Sequence, residues 1–256
     1  MIELKTANEI ELMRQAGRIV AGLLTTLAGL VQPGMKTKTL DEAARTYLRK
    51  LGAAPAFLGY RGFPAAICVS VNEEVVHGIP GERRIREGDV VSLDAGAVVS
   101  GFYADAAITV TVGAVIPLVR RLVETTQQAL VMGIRQAAVG NRLSDISHAV
   151  QGVVEEAGLG IVRDFVGHGI GRAMHEEPPI PNFGAPHMGP RLKAGMVLAI
   201  EPMVTGGNPD VEILEDGWTA VTKDRSLAAH FEHTVAITDE GTEILTDRSH
   251  GEGKPH

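Results

Sequence analysis

The sequence has little of what marks secreted, nucleic-acid-binding or membrane proteins. It contains a single cysteine, Cys68, which excludes an intrachain disulfide and a cysteine-based zinc finger. Lys and Arg number 24 against 31 Asp and Glu, a formal net charge of -7, so a basic face for nucleic acid or an anionic membrane is not expected. The longest apolar stretch, residues 20–31, is interrupted by glycine and threonine and is too short to span a bilayer.

A targeting pattern is also missing at the start of the sequence. Acidic residues occur among the first nine positions, where a signal peptide would carry basic ones. We therefore expect a cytoplasmic protein with neither membrane nor nucleic-acid partners. Hydrophobic residues make up 45% of the chain, an ordinary globular value, and the length allows one large domain or two small ones.

Apolar periodicity predicts a similar order of helices and strands in each half of the chain. Thr6 and Glu9 form a capping-box pair before a first helix, and Thr39 with Glu42 predict the start of a second. In the first half, strands are predicted over 65–71, 89–98 and 102–112. In the second half, helices are predicted from Pro117 to about 139 and from Ser144 to 158, followed by a short strand over 161–166 and a loop to about 190. The last predicted strands cover 196–204, 211–214, 219–221 and 231–238.

The two halves also match position by position. The residues that recur at one constant spacing are Gly34, Leu40, Ala43, Leu48 and Gly52, which correspond to Gly140, Ile146, Ala149, Val154 and Gly158. Two similar halves would pack about a pseudo-twofold axis and bring corresponding side chains to one centre. We therefore expect a single catalytic domain over 1–256, with halves at about 1–113 and 114–248 and a polar tail at 249–256.

Four acidic residues lie within or beside apolar strands. Asp94 and Asp105 would be directly opposed in a symmetric hairpin, with Cβ atoms ~4.5–5.5 Å apart. Glu201 and Glu232 hold similar positions in the second half. Buried carboxylates this close repel each other unless one is protonated or a cation lies between them. Together with His168 they predict a dinuclear metal centre, whereas a metal-free glycosidase with paired carboxylates would have no use for His168.

Three of the nine histidines, His77, His168 and His175, stand out because each follows a turn-like glycine or a strand end. His233 neighbours Glu232 on a strand and should point to the opposite face. The run Gly167 to Gly171 is similar to a dinucleotide-binding loop. Such a loop must open a helix, and the proline-rich stretch that follows His175 cannot form one.

Five motifs, in this order, resemble type I methionine aminopeptidase. They are Ser70-Val-Asn-Glu-Glu-Val-Val-His-Gly-Ile-Pro80, Ser92-Leu-Asp94 with Asp105, Gly167-His-Gly-Ile-Gly-Arg-Ala-Met-His-Glu-Glu-Pro178, Ile200-Glu-Pro-Met203 and Phe231-Glu-His-Thr234. The resemblance extends from about Ile2 to Thr246. It implies the α/β (α+β) pita-bread fold, in which helix pairs flank a central, curved antiparallel sheet built from two pseudo-twofold halves.

The resemblance also implies roles for individual residues. Two divalent ions (Co, Mn, Fe or Zn) would be held by Asp94, Asp105, His168, Glu201 and Glu232. A hydroxide shared by the ions would attack the scissile carbonyl, with Glu201 as general base. His175 would stabilise the oxygen of the tetrahedral intermediate, and His77 would hydrogen-bond the substrate backbone. By analogy, the methionine-binding pocket would consist of Tyr60, Phe63, Cys68, His77, Met174, His175 and Trp218.

The implied activity is removal of the N-terminal methionine from nascent proteins and peptides whose second residue is small. We expect a monomer, and the family's role on nascent chains makes the ribosome surface a candidate partner. An X-Pro aminopeptidase or prolidase with the same fold is the nearest alternative, although those enzymes usually carry a long N-terminal domain. A non-enzymatic pita-bread binding protein is a further alternative, but such proteins lose metal ligands that this sequence keeps.

Overall fold

The structure is a computed structural model that describes residues 2–250. The helices are α1 (Ala7–Leu30), α2 (Thr37–Lys50), α3 (Pro117–Gln136) and α4 (Leu143–Glu156). The strands are β1 (Ala54–Pro55), β2 (Ile67–Val71), β3 (Glu74–Val76), β4 (Val90–Val99), β5 (Phe102–Thr111), β6 (Gly160–Ile161), β7 (Gly167–Gly169), β8 (Glu176–Ile180), β9 (Val197–Ile200), β10 (Met203–Thr205), β11 (Val211–Ile213), β12 (Ala220–Thr222), β13 (Ala228–His230), β14 (Glu232–Thr238) and β15 (Gly241–Ile244). The predicted tail lies outside the described residues from position 251 onward.

A nine-stranded sheet forms the centre of the molecule. Its strand order is β1-β4-β5-β14-β9-β7-β8, with β2 added beside β4 and β15 beside β14. The paired strands within it are antiparallel. Two three-stranded sheets, β13-β10-β6 and β11-β12-β3, complete the strands. No described helix has both the length and the apolar character needed to cross a membrane.

Helix α1 packs its apolar face on β4 and β5, and α3 packs against α4. The predicted capping box at the start of α1 is confirmed, because the Thr6 N–H donates to the Glu9 carboxylate at 2.8 Å and the Glu9 N–H donates to the Thr6 hydroxyl. The largest apolar core joins α1 and α2 to the sheet and includes Leu23, Leu40 and Leu93, each fully buried. Because helices pack against the central sheet, the architecture is mixed α/β.

Two helices begin earlier than the sequence predicts, for the same physical reason. The prediction from Thr39 and Glu42 was wrong, because α2 begins at Thr37, whose N–H donates to the Arg83 carbonyl at 3.0 Å. Helix α4 likewise begins at Leu143, whose N–H donates to the Pro190 carbonyl at 3.0 Å. In both cases carbonyls of a distant loop accept from the first backbone donors, and at α4 the Asp145 carboxylate also accepts from the Arg142 N–H at 2.8 Å.

The β4–β5 hairpin has a register two residues away from the predicted one. Val99 pairs with Phe102 around a tight turn, so Asp94 faces Ala107 and Asp105 faces Gly96. The two carboxylates are therefore diagonal neighbours, and the prediction that they are directly opposed was wrong. They still share one face of the sheet, because a shift by two residues preserves the side-chain alternation.

The segment over residues 196–204 is two strands rather than the predicted one. Strand β9 belongs to the central sheet and β10 to a small one, and the chain changes sheet at Glu201 and Pro202, where proline has no N–H for a ladder. The predicted loop after residue 166 contains β7 and β8. A Cβ atom on Gly167 or Gly169 would lie 2.4 or 2.2 Å from a neighbouring carbonyl oxygen, so these glycines permit close strand packing.

Candidate metal centre

One pocket of about 160 Å³ gathers every site residue that the sequence analysis singled out. Its lining residues are Phe57, Tyr60, Arg61, Phe63, Cys68, His77, Asp94, Asp105, His168, Met174, His175, Glu201, Trp218 and Glu232. They come from both halves of the chain, and only the folded sheet and its loops bring them together. A larger cavity of about 590 Å³ beside α4 is an open surface depression that contains none of them.

The order of the strands in the central sheet explains how the five candidate ligands meet. Neighbouring strands β4, β5, β14, β9 and β7 each supply one of them, and Glu201 follows the last residue of β9. The supplied residues, in that order, are Asp94, Asp105, Glu232, Glu201 and His168. Each side chain faces the pocket, so the sheet forms a floor of four carboxylates and one imidazole.

Three of the five form the tightest group. Donor atoms of Asp105, His168 and Glu232 lie within 4.8 Å of one another. The His168 Nε2 atom is 3.5 Å from Asp105 Oδ2 and 3.6 Å from Glu201 Oε1. Asp94 and Glu201 flank this group. Several carboxylate oxygens and the His168 Nε2 atom therefore point toward the same part of the pocket.

The tautomer of His168 favours metal binding through Nε2. Its Nδ1 atom is 2.9 Å from the Gly169 carbonyl oxygen, and because a carbonyl only accepts hydrogen bonds, Nδ1 carries the proton. In the neutral imidazole, Nε2 then keeps its lone pair and points toward the carboxylates. Metal-binding histidines are commonly oriented by such a contact on the other ring nitrogen.

The carboxylates of the floor are electrostatically unfavourable without a cation. Burial, together with neighbouring acids, raises the pKa of Asp94 to about 8 and that of Glu201 to about 8. Burial likewise raises the pKa of Asp105 and of Glu232. The Asp94 Oδ1 atom is buried and has no hydrogen-bond partner. An oxygen-rich floor with one free imidazole nitrogen fits divalent metal ions, which would neutralise these groups.

Thr234, which is not one of the five candidate ligands, hydrogen-bonds the carboxylate of Asp105. The Thr234 hydroxyl lies 3.0 Å from Asp105 Oδ1 and 2.7 Å from the Asp105 carbonyl oxygen. Thr234 is fully buried on β14. The hydroxyl therefore restricts the orientation of the Asp105 carboxylate.

Two further histidines stand above the floor in their neutral form. Burial lowers the pKa of His175 to about 3 and that of His77 to about 4. The His175 Nδ1 atom is 2.8 Å from the Tyr60 hydroxyl, which orients the ring and leaves Nε2 available. His77 has a φ of 61°, a conformation that non-glycine residues rarely adopt and that is often found at functional sites.

The wall of the pocket is apolar. Phe63, Cys68 and Met174 are buried in one cluster with Phe57. The Phe63 and Trp218 rings meet edge to face with centroids 5.1 Å apart. Burial raises the pKa of the Cys68 thiol, so this cysteine is an apolar wall residue rather than a nucleophile.

Three residues at or beside the pocket were not predicted from the sequence. His230 is buried, and its Nε2 atom lies 3.5 Å from Glu201 Oε2. Its position two residues before Glu232 was the available signal. Thr234 has the same spacing on the other side of Glu232. Arg61, whose guanidinium lies 5.4 Å from the Tyr60 ring centroid, lines the pocket, and nothing in the sequence pattern indicated this.

Comparison with known proteins agrees with this site. Residues 11–239 match the metallopeptidase family M24. The methionine aminopeptidase of Clostridium acetobutylicum is 51% identical over 247 residues, which cover 96% of this chain and 99% of the relative. The crystal structure of methionine aminopeptidase from Thermotoga maritima superposes with a TM-score of 0.95 at 48% identity, covering 96% of this chain and 100% of that one.

A more distant structure shows how far the fold extends. Prolidase from Pyrococcus furiosus has a TM-score of 0.77 at 24% identity, and the match covers 95% of this chain but 65% of the prolidase. At that identity the likeness concerns the fold alone, and it confirms the pita-bread architecture predicted from the resemblance. From the matched family and the extent of the matches, we conclude that the chain belongs to metallopeptidase family M24.

Proposed function

We propose that this protein is a methionine aminopeptidase that works with two divalent metal ions. One observation carries the proposal: a single pocket combines a floor of four carboxylates and His168 with an apolar wall that contains Met174 and Trp218. A floor of this kind suits hydrolysis, and a polarisable, aromatic wall suits a thioether side chain. The relatives named methionine aminopeptidase match nearly the whole chain, which supports the same assignment.

The two ions would be held by the five floor residues, of which Asp105, His168 and Glu232 form the tightest group. When bound, such ions lower the pKa of a water molecule and polarise the scissile carbonyl. One histidine with four carboxylates suits Co, Mn, Fe and Zn alike, so the choice of metal is left to the experiment below.

Glu201 acts as the general base in this proposal. Its carboxylate faces the pocket within 3.6 Å of His168 Nε2, close to where the attacking water must lie. It takes a proton from that water and later passes it to the leaving amine. A general base must reach the proton that it moves, and the position of Glu201 at the end of β9 meets this condition.

His175 and His77 act on the substrate backbone. His175 donates from Nε2 to the oxygen on which negative charge develops, and the Tyr60 hydroxyl at Nδ1 keeps the ring in place. His77 hydrogen-bonds the peptide backbone near the scissile bond. Both rings are neutral at pH 7, because burial lowers the pKa of each of them well below that value.

The pocket accounts for the proposed specificity. The methionine side chain lies against Phe63, Cys68, Met174 and Trp218, and the free N-terminal amine lies near Asp94. A small second residue is expected from the resemblance to type I methionine aminopeptidase. We place the activity on nascent chains in the cytoplasm, with the enzyme as a monomer and the ribosome surface as a candidate contact.

A hydrolysis assay tests the proposal. The protein is treated with a chelator, and Co, Mn, Fe and Zn are added back singly with Met-Ala-Ser as substrate. We expect methionine to be released only when metal is present, and we expect no cleavage of X-Pro peptides. The Glu201→Gln variant should bind metal and lose most of its turnover; full turnover in that variant would contradict the assigned mechanism. Preferential cleavage of X-Pro peptides would favour the prolidase alternative.

A further inference from the structure

His230 is a buried histidine to which the mechanism above gives no role. It is the last residue of β13 and is 2% exposed. It does not line the pocket, and its Nε2 atom is 3.5 Å from Oε2 of Glu201. Among the described residues, this Nε2 is one of three buried side-chain polar atoms without a hydrogen-bond partner. A buried nitrogen left unpaired costs free energy, so its position calls for an explanation.

The backbone of His230 is held on both sides, which limits where its ring can go. Its N–H donates to the Thr109 hydroxyl oxygen at 2.9 Å, and its carbonyl accepts from the same hydroxyl at 2.7 Å. Strand pairing opposite Met203 fixes the register. The ring is therefore directed at Glu201 by the fold, and only a small movement separates the 3.5 Å contact from a hydrogen bond.

The two oxygens of Glu201 have different neighbours. Oε1 lies 3.6 Å from the His168 Nε2 atom, on the side where the metal ligands converge, whereas Oε2 lies beside His230. The Asn182 side chain donates to the Glu201 carbonyl at 3.0 Å and so fixes the backbone, but it does not set the orientation of the carboxylate. A donor at Oε2 would set that orientation.

We propose that His230 is a positioning residue whose Nε2–H donates a hydrogen bond to Oε2 of Glu201 and thereby presents Oε1 to the metal centre. This inference rests on the proposed function in so far as Glu201 is taken as a ligand and base. Direct ligation by His230 is less favoured, because His230 does not line the pocket that the five floor residues face. Partners that hold a metal-binding carboxylate typically contribute about 10- to 100-fold in metal affinity.

Two substitutions separate a hydrogen-bonding role from a merely structural one. His230→Gln keeps a donor of similar reach, and His230→Leu removes it at similar volume. Titration calorimetry with Mn²⁺ should show metal affinity about 10- to 100-fold weaker for the leucine variant and within about threefold of the parent for the glutamine variant. His148→Leu, the same change on the exposed side of α4, is the matched control and should not alter affinity. Equal affinity in all variants would overturn the proposal.

Nitrogen NMR of the unaltered protein loaded with Zn²⁺ gives a second readout that does not depend on the folding of the leucine variant. The His230 ring, identified by the signal lost in His230→Gln, should show a protonated Nε2. A deprotonated, metal-bound Nε2 would overturn the positioning role. Both readouts are independent of methionine release, so a protein that binds metal but releases no methionine would refute the proposed function without touching the role of His230.

Discussion

Acidic residues occupy two contrasting environments in this protein. Glu82 lies on the surface, where Lys36 Nζ contacts it at 2.6 Å and Lys38 also contacts it, and these two ammonium groups lower the pKa of Glu82 to about 2. Asp94 and Glu201 lie in the pocket floor, and burial raises the pKa of each to about 8. The chain supplies two ammonium groups to the surface acid, whereas the nearest neighbours of the floor acids are other carboxylates and histidine rings.

This difference shows that the net charge of the sequence combines two kinds of carboxylate. The surface kind is solvated and contributes solubility. The buried kind is a cost to the fold unless something cationic joins it, which is the physical argument for a metal centre. Substitutions in the floor should therefore have large effects on metal binding and turnover, and substitutions of surface acids small ones.

Removing one floor carboxylate should have the largest effect. Asp105→Asn keeps the size of the side chain but removes a charge from the tightest donor group. We expect kcat/KM for a Met-Ala-Ser peptide to fall on the order of 100-fold or more, with a matching loss of metal affinity. Steady-state kinetics at saturating metal, alongside calorimetry, would measure both. Retained affinity would mean that Asp105 is not a ligand.

Truncating a side chain of the pocket wall should weaken the hydrolysis of substrates with an N-terminal methionine while leaving the metal centre intact. Met174→Ala removes a buried thioether from the apolar cluster, so we expect kcat/KM for N-terminal methionine to fall roughly 10- to 200-fold with metal affinity unchanged. Met188→Ala is the matched control, because Met188 is 61% exposed and lies outside the pocket. An equal loss of kcat/KM in both variants would show that the effect does not come from the pocket wall.

Removing the hydroxyl that holds Asp105 tests the support of the floor. Thr234→Val replaces a donor by a methyl group of similar shape, and we expect metal affinity to fall about 10- to 100-fold. The Co²⁺ absorption spectrum should change at the same time, because the carboxylate loses its fixed orientation. An unchanged spectrum and affinity would show that packing alone positions Asp105.

Chelation should make stability depend on pH in a defined direction. The folded carboxylates bind protons more tightly than the unfolded ones, so they stabilise the metal-free protein at low pH, and this stability is lost as pH rises through about 8. Histidines of the unfolded chain are half protonated at about pH 6.5 and oppose part of this change at first, whereas above about pH 7.5 the carboxylates are the main cause. Between pH 6.5 and 8.5, urea unfolding should show a decrease on the order of 2–4 kcal/mol. Saturating metal should abolish the slope.

Neutralising the surface acid should have the smallest effect. Glu82→Gln removes the partner of Lys36 and Lys38, and exposed ion pairs contribute little to stability. Metal affinity and kcat/KM are expected to match those of the parent protein within error. A loss comparable to that of Asp105→Asn would break the contrast on which these predictions depend.

Much of the site could be predicted from the sequence, because its residues carry local signatures. Carboxylates at the ends of apolar runs indicated Asp94, Asp105, Glu201 and Glu232, and the structure places them in one pocket. His230 was missed because it lies at the end of a three-residue strand of a different sheet, and only packing beside Glu201 gives it a neighbour. The division into halves at about 113 and 114 stays a prediction.

The sequence by itself determined the alternation of helices and strands, the capping of α1 and the four carboxylates of the floor, since these depend on periodicity and on chemistry between near neighbours. Tertiary structure decided the starts of α2 and α4, where distant carbonyls accept from the first backbone donors. It also decided the hairpin register that makes Asp94 and Asp105 diagonal neighbours. The same holds for the position at Glu201, where the chain passes from the central sheet to a small one. These features depend on contacts between residues far apart in the chain, which no local pattern records.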